Sequence, residues 1–332
     1  MEVERFGRMP DGQDVHCLHL RSGSLKACIL TLGAIVQDLR LEGVPHPLVL
    51  GADTLGPYLG PMQYFGAMVG RYANRIADGR FRIDGRMYQV SQNFRGRHCL
   101  HGGTLGSGQR IWSIEEHTPS SVILSLLMPD GEMGFPGTLS VVLRITLEDT
   151  ALDLNISATC DNSTICNFTH HGYFILDDSG SLADHNLRVD AAAYLPVDGD
   201  LIPTGQIAPV NDTAFDFRTL RSLRDVALDH NFCLSDERRA LCPVAWLQSQ
   251  ALSMRVETTE PGLQVYTATH LPETGVEGLG GRHYPRHAGI ALEAQVWPDA
   301  PNQSHFPAAV LRPGEIYHQN TRYIFARNEA RT

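Results

Sequence analysis

Three kinds of side chain in this 332-residue chain are set to move protons or grip hydroxyl groups. The first is a carboxylate, Glu293, flanked by Ile290, Leu292 and Val296 and followed by Pro298, Pro301 and Pro307. Taking a charge out of water is costly unless something answers it, and the prolines stiffen whatever surrounds it by fixing φ and removing backbone donors. The second is the histidine pair of Phe168-Thr169-His170-His171-Gly172-Tyr173. Adjacent residues on a strand face opposite sides, so only one of the two imidazoles can enter a given pocket. The third is Asn74-Arg75, an amide beside a planar fork of donors, a combination suited to sugar hydroxyls. By itself that segment also fits a surface turn with a salt-bridged arginine.

Other groups extend the set. Asp229 opens Asp229-His230-Asn231-Phe232; ionised, it is acceptor-only and can hold two adjacent hydroxyls, although a loop turn or helix cap would use it equally well. His101 precedes Gly102-Gly103, where the backbone can approach a neighbour closely. Gln264 lies in Thr258-Thr259-Glu260-Pro261-Gly262-Leu263-Gln264-Val265-Tyr266-Thr267, which also reads as an exposed turn, including Glu260, that enters a strand. His98, Cys99 and His101 lack zinc-type spacing, and no metal site is expected.

These segments, in this order, closely resemble motifs of the aldose 1-epimerase (galactose mutarotase) family, and the resemblance runs from about residue 70 to 325. Weaker matches at Pro129–Gly137, Tyr194–Gly205 and Leu311–Glu315 look like scaffold turns. The resemblance implies Glu293 as catalytic base and His171 as general acid, with Asn74, Arg75, His101, Asp229 and Gln264 contacting substrate and Arg71 structural. It implies an isomerase that opens and recloses the ring of a free aldose, hexose or pentose, without a cofactor. The base would take the proton of the C1 hydroxyl and the acid would protonate the ring oxygen, the two on opposite sides of C1. His170, Gly172 and Ile175 stand where the family carries Asn, Ser and Asn, which leaves the preferred sugar open. A glycoside hydrolase would want paired carboxylates, a hexose-phosphate epimerase a basic cluster, and a non-catalytic sugar-binding sandwich no matched acid and base.

The elements that must position these groups read as strands. Leu139, Val141, Leu143, Ile145 and Leu147 alternate with polar residues, as do Leu152, Leu154, Ile156, Ala158 and Cys160, so a hairpin is expected around Glu148–Ala151. A second is expected about Asp84-Gly85. Further strands are expected at Leu25–Leu32, Val122–Met128, Met254–Thr258, Gly262–Ala268 and Tyr323–Ala326, with one short helix at Leu220–Val226. Many short strands without a 20–50-residue repeat point to an all-β protein. The family resemblance implies a large antiparallel β-sandwich with few short helices, and residues 1–332 are expected to form a single domain.

Composition narrows the partners. Hydrophobic residues make up 42% and charged residues 19% of the chain, enough apolar material for a core. A formal charge of -10 disfavours nucleic acid or an anionic membrane, which need excess Lys and Arg. A neutral small molecule is the easier ligand. Seven cysteines without a CxxC pair fit reduced thiols. The N-terminus lacks a signal-peptide pattern and no apolar run reaches the roughly 20 residues that span a bilayer, so a cytoplasmic location is expected. Oligomeric state is not readable.

Overall fold

A computed structural model describes residues 3–328. The expected hairpins form because each strand has one apolar face to bury. Leu139–Glu148 alternates buried and exposed residues along its length and pairs with Ala151–Cys160 from Leu139 opposite Cys160 to Glu148 opposite Ala151. Arg80–Ile83 and Arg86–Gln89 close about Asp84 and Gly85, at φ 50° and 83°. Both values are positive, as the tight turn that matches strand twist requires.

The first of these hairpins belongs to a nine-stranded antiparallel sheet. Its spatial order is Ser113–His117, Ser121–Met128, Leu139–Glu148, Ala151–Cys160, Tyr317–Arg327, Leu252–Thr258, Cys242–Gln248, Asn186–Val189 and Arg221–Ser222. A six-stranded sheet runs Tyr173–Phe174, Ile290–Gln295, Gly262–Tyr266, Asp229–Cys233, Ala193–Tyr194 and Ala208–Pro209. The N-terminal segment adds a four-stranded meander, β1 (Val3–Arg8), β2 (Asp14–Ser22), β3 (Leu25–Leu30) and β4 (Val36–Leu41).

The two larger sheets are joined through Tyr317–Arg327. Tyr323 Oη donates to the carbonyl of Leu292 at 3.2 Å and Gln319 Nε2 to that of Ala294 at 2.8 Å, while the Phe174 and Tyr323 rings lie 4.6 Å apart. One hydrophobic cluster runs through all three sheets, from Leu18 and Leu39 through Leu124 and Leu143 to Leu292 and Val265. A second, smaller one gathers Tyr72, Phe81, Phe135 and Trp297 beneath the loops.

Helical structure among the described residues is confined to short 3-10 turns. The helix expected at Leu220–Val226 does not form: Arg221–Ser222 pairs with Asn186–Leu187 at the edge of the nine-stranded sheet. Seven residues without a cap do not recover the cost of helix nucleation, and edge pairing offers the backbone partners at once. No helix among the described residues is long and apolar enough to cross a membrane.

Candidate active site

Register assembles the site. Directly opposed residues of antiparallel strands project to the same face, and Glu293 lies opposite Gln264, which lies opposite Asn231. In the adjoining row Tyr173, Ala291, Tyr266 and Asp229 stand side by side. One face of the six-stranded sheet therefore carries Glu293, Gln264, Tyr173, Tyr266 and Asp229, and the other carries Leu292, Val265 and Phe174 toward the nine-stranded sheet. His171, two residues before Tyr173, joins the first face, and its Nε2 lies 3.7 Å from Glu293 Oε1.

The opposite wall comes from Arg75–Ile76 paired with Cys99–Leu100. Asn74 and His101 flank that pair with positive φ, 64° and 51°, and clasp each other. The His101 N–H donates to the Asn74 carbonyl at 3.0 Å and the Asn74 N–H donates to His101 Nδ1 at 3.2 Å. The second bond makes Nδ1 an acceptor, so the neutral ring carries its proton on Nε2 and remains a donor. The close approach that Gly102 permits is to protein backbone: a Cβ there would stand 2.1 Å from the Gly70 carbonyl oxygen.

Between the walls lies a cavity of about 340 Å³, lined by Asn74, Arg75, His101, His171, Asp229 and Glu293 together with Tyr64, Phe94, Arg95, Leu100, Tyr173, Tyr266 and His270. That volume suits a small molecule. A larger cavity of about 1170 Å³ near Pro45, Gln248 and Arg327 holds no comparable acid–base pair. Gln264 is buried beneath the pocket, where its amide donates to Asp229 Oδ1 at 2.6 Å; it holds a pocket residue and does not line the cavity. Arg75 reaches the other Asp229 oxygen at 2.9 Å, so Asp229 is clamped from two sides. Arg71 is fully buried and donates to the carbonyls of Met128, Pro129, Pro136 and Gly137, the scaffold role expected of it. Glu260 is not in an exposed turn: it is fully buried and bidentate with Arg238, at 2.6 and 3.1 Å, a charge tolerated in the interior because it is paired.

Burial governs the acid–base groups. Desolvation pushes the Glu293 carboxyl well above its ordinary range; Asp229 adds to the rise and Arg75 opposes it. Desolvation also lowers His171, to about 4, and carries His101 well below the usual imidazole range, aided by His171 and Arg75. For Asp229 the desolvation penalty is outweighed by Arg75 and Gln264, and its pKa is depressed. The unliganded pocket thus favours one proton on the Glu293–His171 pair, held on the carboxyl. A proton on the imidazole and a charge on the carboxylate would be the same count.

His101, His171 and Glu293 bring three ligand-type atoms within 4.8 Å of one another. Metal-ligating imidazoles and carboxylates are normally oriented by outer partners, yet neither His171 Nδ1 nor Glu293 Oε2 has one among the described residues. The arrangement fits proton transfer better than a resident cation.

The family departures lie outside the cavity. His170 faces away from His171, with its ring 5.6 Å from Tyr323 and 6.2 Å from Phe174, and Gly172 and Ile175 are buried off the pocket. The lining residues the sequence did not single out are Tyr64, Phe94, Arg95, Leu100, Tyr173, Tyr266 and His270. Tyr173 and Tyr266 were legible by period-two parity with His171 and Gln264. Tyr64 and His270 are loop residues with no such signal.

The fold is a β-sandwich, and a buried carboxyl and imidazole stand side by side in a cavity of small-molecule size. The family profile described as Aldose 1-epimerase matches residues 16–324. The chain is 41% identical to galactose mutarotase of Rattus norvegicus and 39% identical to that of Homo sapiens, with 97% of each chain covered in both comparisons. It is 33% identical to aldose 1-epimerase of Escherichia coli K12, covering 95% of this chain and 96% of that one. Among solved structures, an aldose epimerase homologue from C. elegans is similar at TM-score 0.88 and 30% identity, over 94% of this chain and 99% of that one. A galactose 1-epimerase from Lactobacillus acidophilus gives TM-score 0.86 at 26% identity, with 99% of both chains covered. The chain belongs to the aldose 1-epimerase family and is an isomerase of free aldoses.

Proposed function

We propose that Glu293 and His171 are the base and acid of anomer interconversion and that the substrate is a free hexose of the galactose type. The observation that carries the assignment is the 3.7 Å approach of His171 Nε2 to Glu293 Oε1. The C1 hydroxyl and the ring oxygen are bonded to the same carbon, so a base and an acid this close together can reach both. With the shared proton on His171, Glu293 takes the hydroxyl proton while His171 donates to the ring oxygen, and the C1–ring-oxygen bond breaks to give the open aldehyde. Rotation about C1–C2 and reversal of both transfers close the other anomer. Proton count and charge are conserved throughout, and the side chains need no redox partner.

Asp229 and Arg75 present an acceptor and donors to vicinal hydroxyls, and His101 offers Nε2–H. Tyr64 stacks over His171 with centroids 6.0 Å apart, covering the reacting edge. The second pocket carboxylate, Asp229, is held by Arg75 and Gln264, which disfavours it as the nucleophile of a hydrolase. Arg95, at the pocket rim, is engaged with Asp200 at 2.6 Å and is not free to receive a phosphate. The galactose-type assignment is supported by the mammalian relatives, and a cytoplasmic location by seven unpaired thiols.

Polarimetry on freshly dissolved α-aldoses tests the proposal. Glu293→Gln and His171→Ala should each lose about 10²–10⁴-fold in the catalysed rate, and galactose should rank first in kcat/KM across the panel. A near-normal rate in either variant overturns the role assignment, and a pentose ranked first overturns the sugar.

A further inference from the structure

The N-terminal meander carries a side-chain cluster that epimerase chemistry does not use. Cys17 and His19 share one face of β2; Cys28 of β3 lies directly opposite His19, and Glu4 of β1 directly opposite Cys17. That register places all four side chains on one face. The ligand atoms of Cys17, His19 and Cys28 all fall within 4.8 Å of one another, and His19 Nδ1 is 3.2 Å from Cys28 Sγ. Ligands about 2.0–2.3 Å from a tetrahedral centre stand roughly 3.5 Å apart, so only small rotamer adjustments separate this arrangement from a coordination shell. The other ring nitrogen of His19 faces Glu4 Oε1 at 3.4 Å. This carboxylate–imidazole relay is what orients a metal-bound histidine, and it is the element missing around His171 and Glu293.

We propose that Cys17, His19 and Cys28 form a binding site for a borderline-soft divalent cation of the zinc class, with Glu4 as the positioning residue for His19 and solvent as fourth ligand. Thiolate and imidazole donors select such an ion over calcium or magnesium. Cavities of about 520 and 380 Å³ flank Cys28 and give an entry path, while Cys17 is only 2% exposed and anchors the inner side. On binding, each thiol gives up its proton to solvent, and His19 stays neutral, ligating through Nδ1 and donating Nε2–H to Glu4. The bound ion would tie β2 to β3 and, through Glu4, restrain β1, whose residues are mostly exposed.

The reduced, chelator-washed full-length protein is titrated with Zn²⁺ against a chromophoric chelator, and separately with Co²⁺ while its absorption is recorded. One equivalent of zinc per chain is expected, with a cobalt spectrum showing thiolate charge-transfer and tetrahedral d–d bands. Cys28→Ser should lose the charge-transfer intensity contributed by one thiolate, and Glu4→Gln should weaken zinc about 10–100-fold. His19→Gln, at an exposed position, provides the same test should a cysteine variant fail to fold. No stoichiometric uptake, a cobalt spectrum without thiolate bands, or affinity unchanged in both His19→Gln and Cys28→Ser overturns the site.

Discussion

At the scale of single residues, the proposed chemistry rests on how burial redistributes one proton between Glu293 and His171. Glu293 and His171 titrate as a pair, and the values that an experiment reads belong to the pair. Its working form holds one proton. As pH falls through about 4, the value to which burial lowers His171, a second proton enters and the base is lost. On the alkaline side the pair gives up its last proton only well above the ordinary carboxylate range, because Glu293 is raised. kcat/KM should therefore show its acid limb near 4; a limb that falls on acidification through 6.5 would mean that His171 is not desolvated. Glu293 also bears on stability. Its folded pKa lies above the unfolded value, so the advantage of a buried neutral carboxyl is present below about 4.5 and is lost as pH rises. Glu293→Gln keeps the shape without the charge, and at neutral pH it should unfold at equal or higher denaturant than the parent while nearly inactive.

At the scale of elements, the segment 168–176 shows why family departures need not lie in the pocket. Strand parity turns His171 to the cavity and His170 to the core, where both ring nitrogens lack partners among the described residues and burial lowers the imidazole to about 3. His170 and Gly172 act as a unit: a Cβ at residue 172 would stand 2.4 Å from His170 Cε1. Gly172→Ser alone should cost on the order of 1–3 kcal/mol by overpacking, and His170→Asn in the same chain should restore most of it. Additive losses in a double-mutant cycle followed by denaturant melts would show that the two positions do not share this space. Neither change should alter the ranking of sugars, which belongs to the side chains that line the cavity.

At the scale of the whole molecule, we propose that one domain carries the site, because a single apolar cluster crosses all three sheets. Trp112, Trp246 and Trp297 report from separate regions of the chain. Fluorescence and far-ultraviolet circular dichroism should trace one coincident transition; resolved steps would indicate separate units. Acid should weaken this fold. The unfolded chain protonates His170 and His171 below about 6.5 while the folded chain resists to about 3 and about 4. His170 contributes a slope of up to about 1.4 kcal/mol per pH unit over this window, whereas the slope from His171 is largely offset above about 4.5 by Glu293, whose raised carboxyl holds a proton that the unfolded chain has lost. The denaturant midpoint should drop steeply from pH 6 to 4, and less so in His170→Asn.

The sequence by itself determined the strand-rich class, both hairpins and the residue types that converge on the pocket, because period-two alternation and turn chemistry are local properties. Glu293, His171, Asn74, Arg75, His101 and Asp229 were all legible in their segments through the family resemblance, with Asn74, Arg75 and Asp229 also fitting ordinary turns. Tertiary structure decided what pairing and burial control. It moved Gln264 beneath the pocket as a brace for Asp229, buried Glu260 against Arg238, replaced the expected helix at Leu220–Val226 with an edge pairing and turned His170 away from the cavity. It also brought Cys17, His19 and Cys28 together across two strands, although their spacing along the chain resembles no metal motif. Contacts of this kind depend on register between strands distant in sequence and on the desolvation that register imposes, and neither quantity is written in any one segment of the chain.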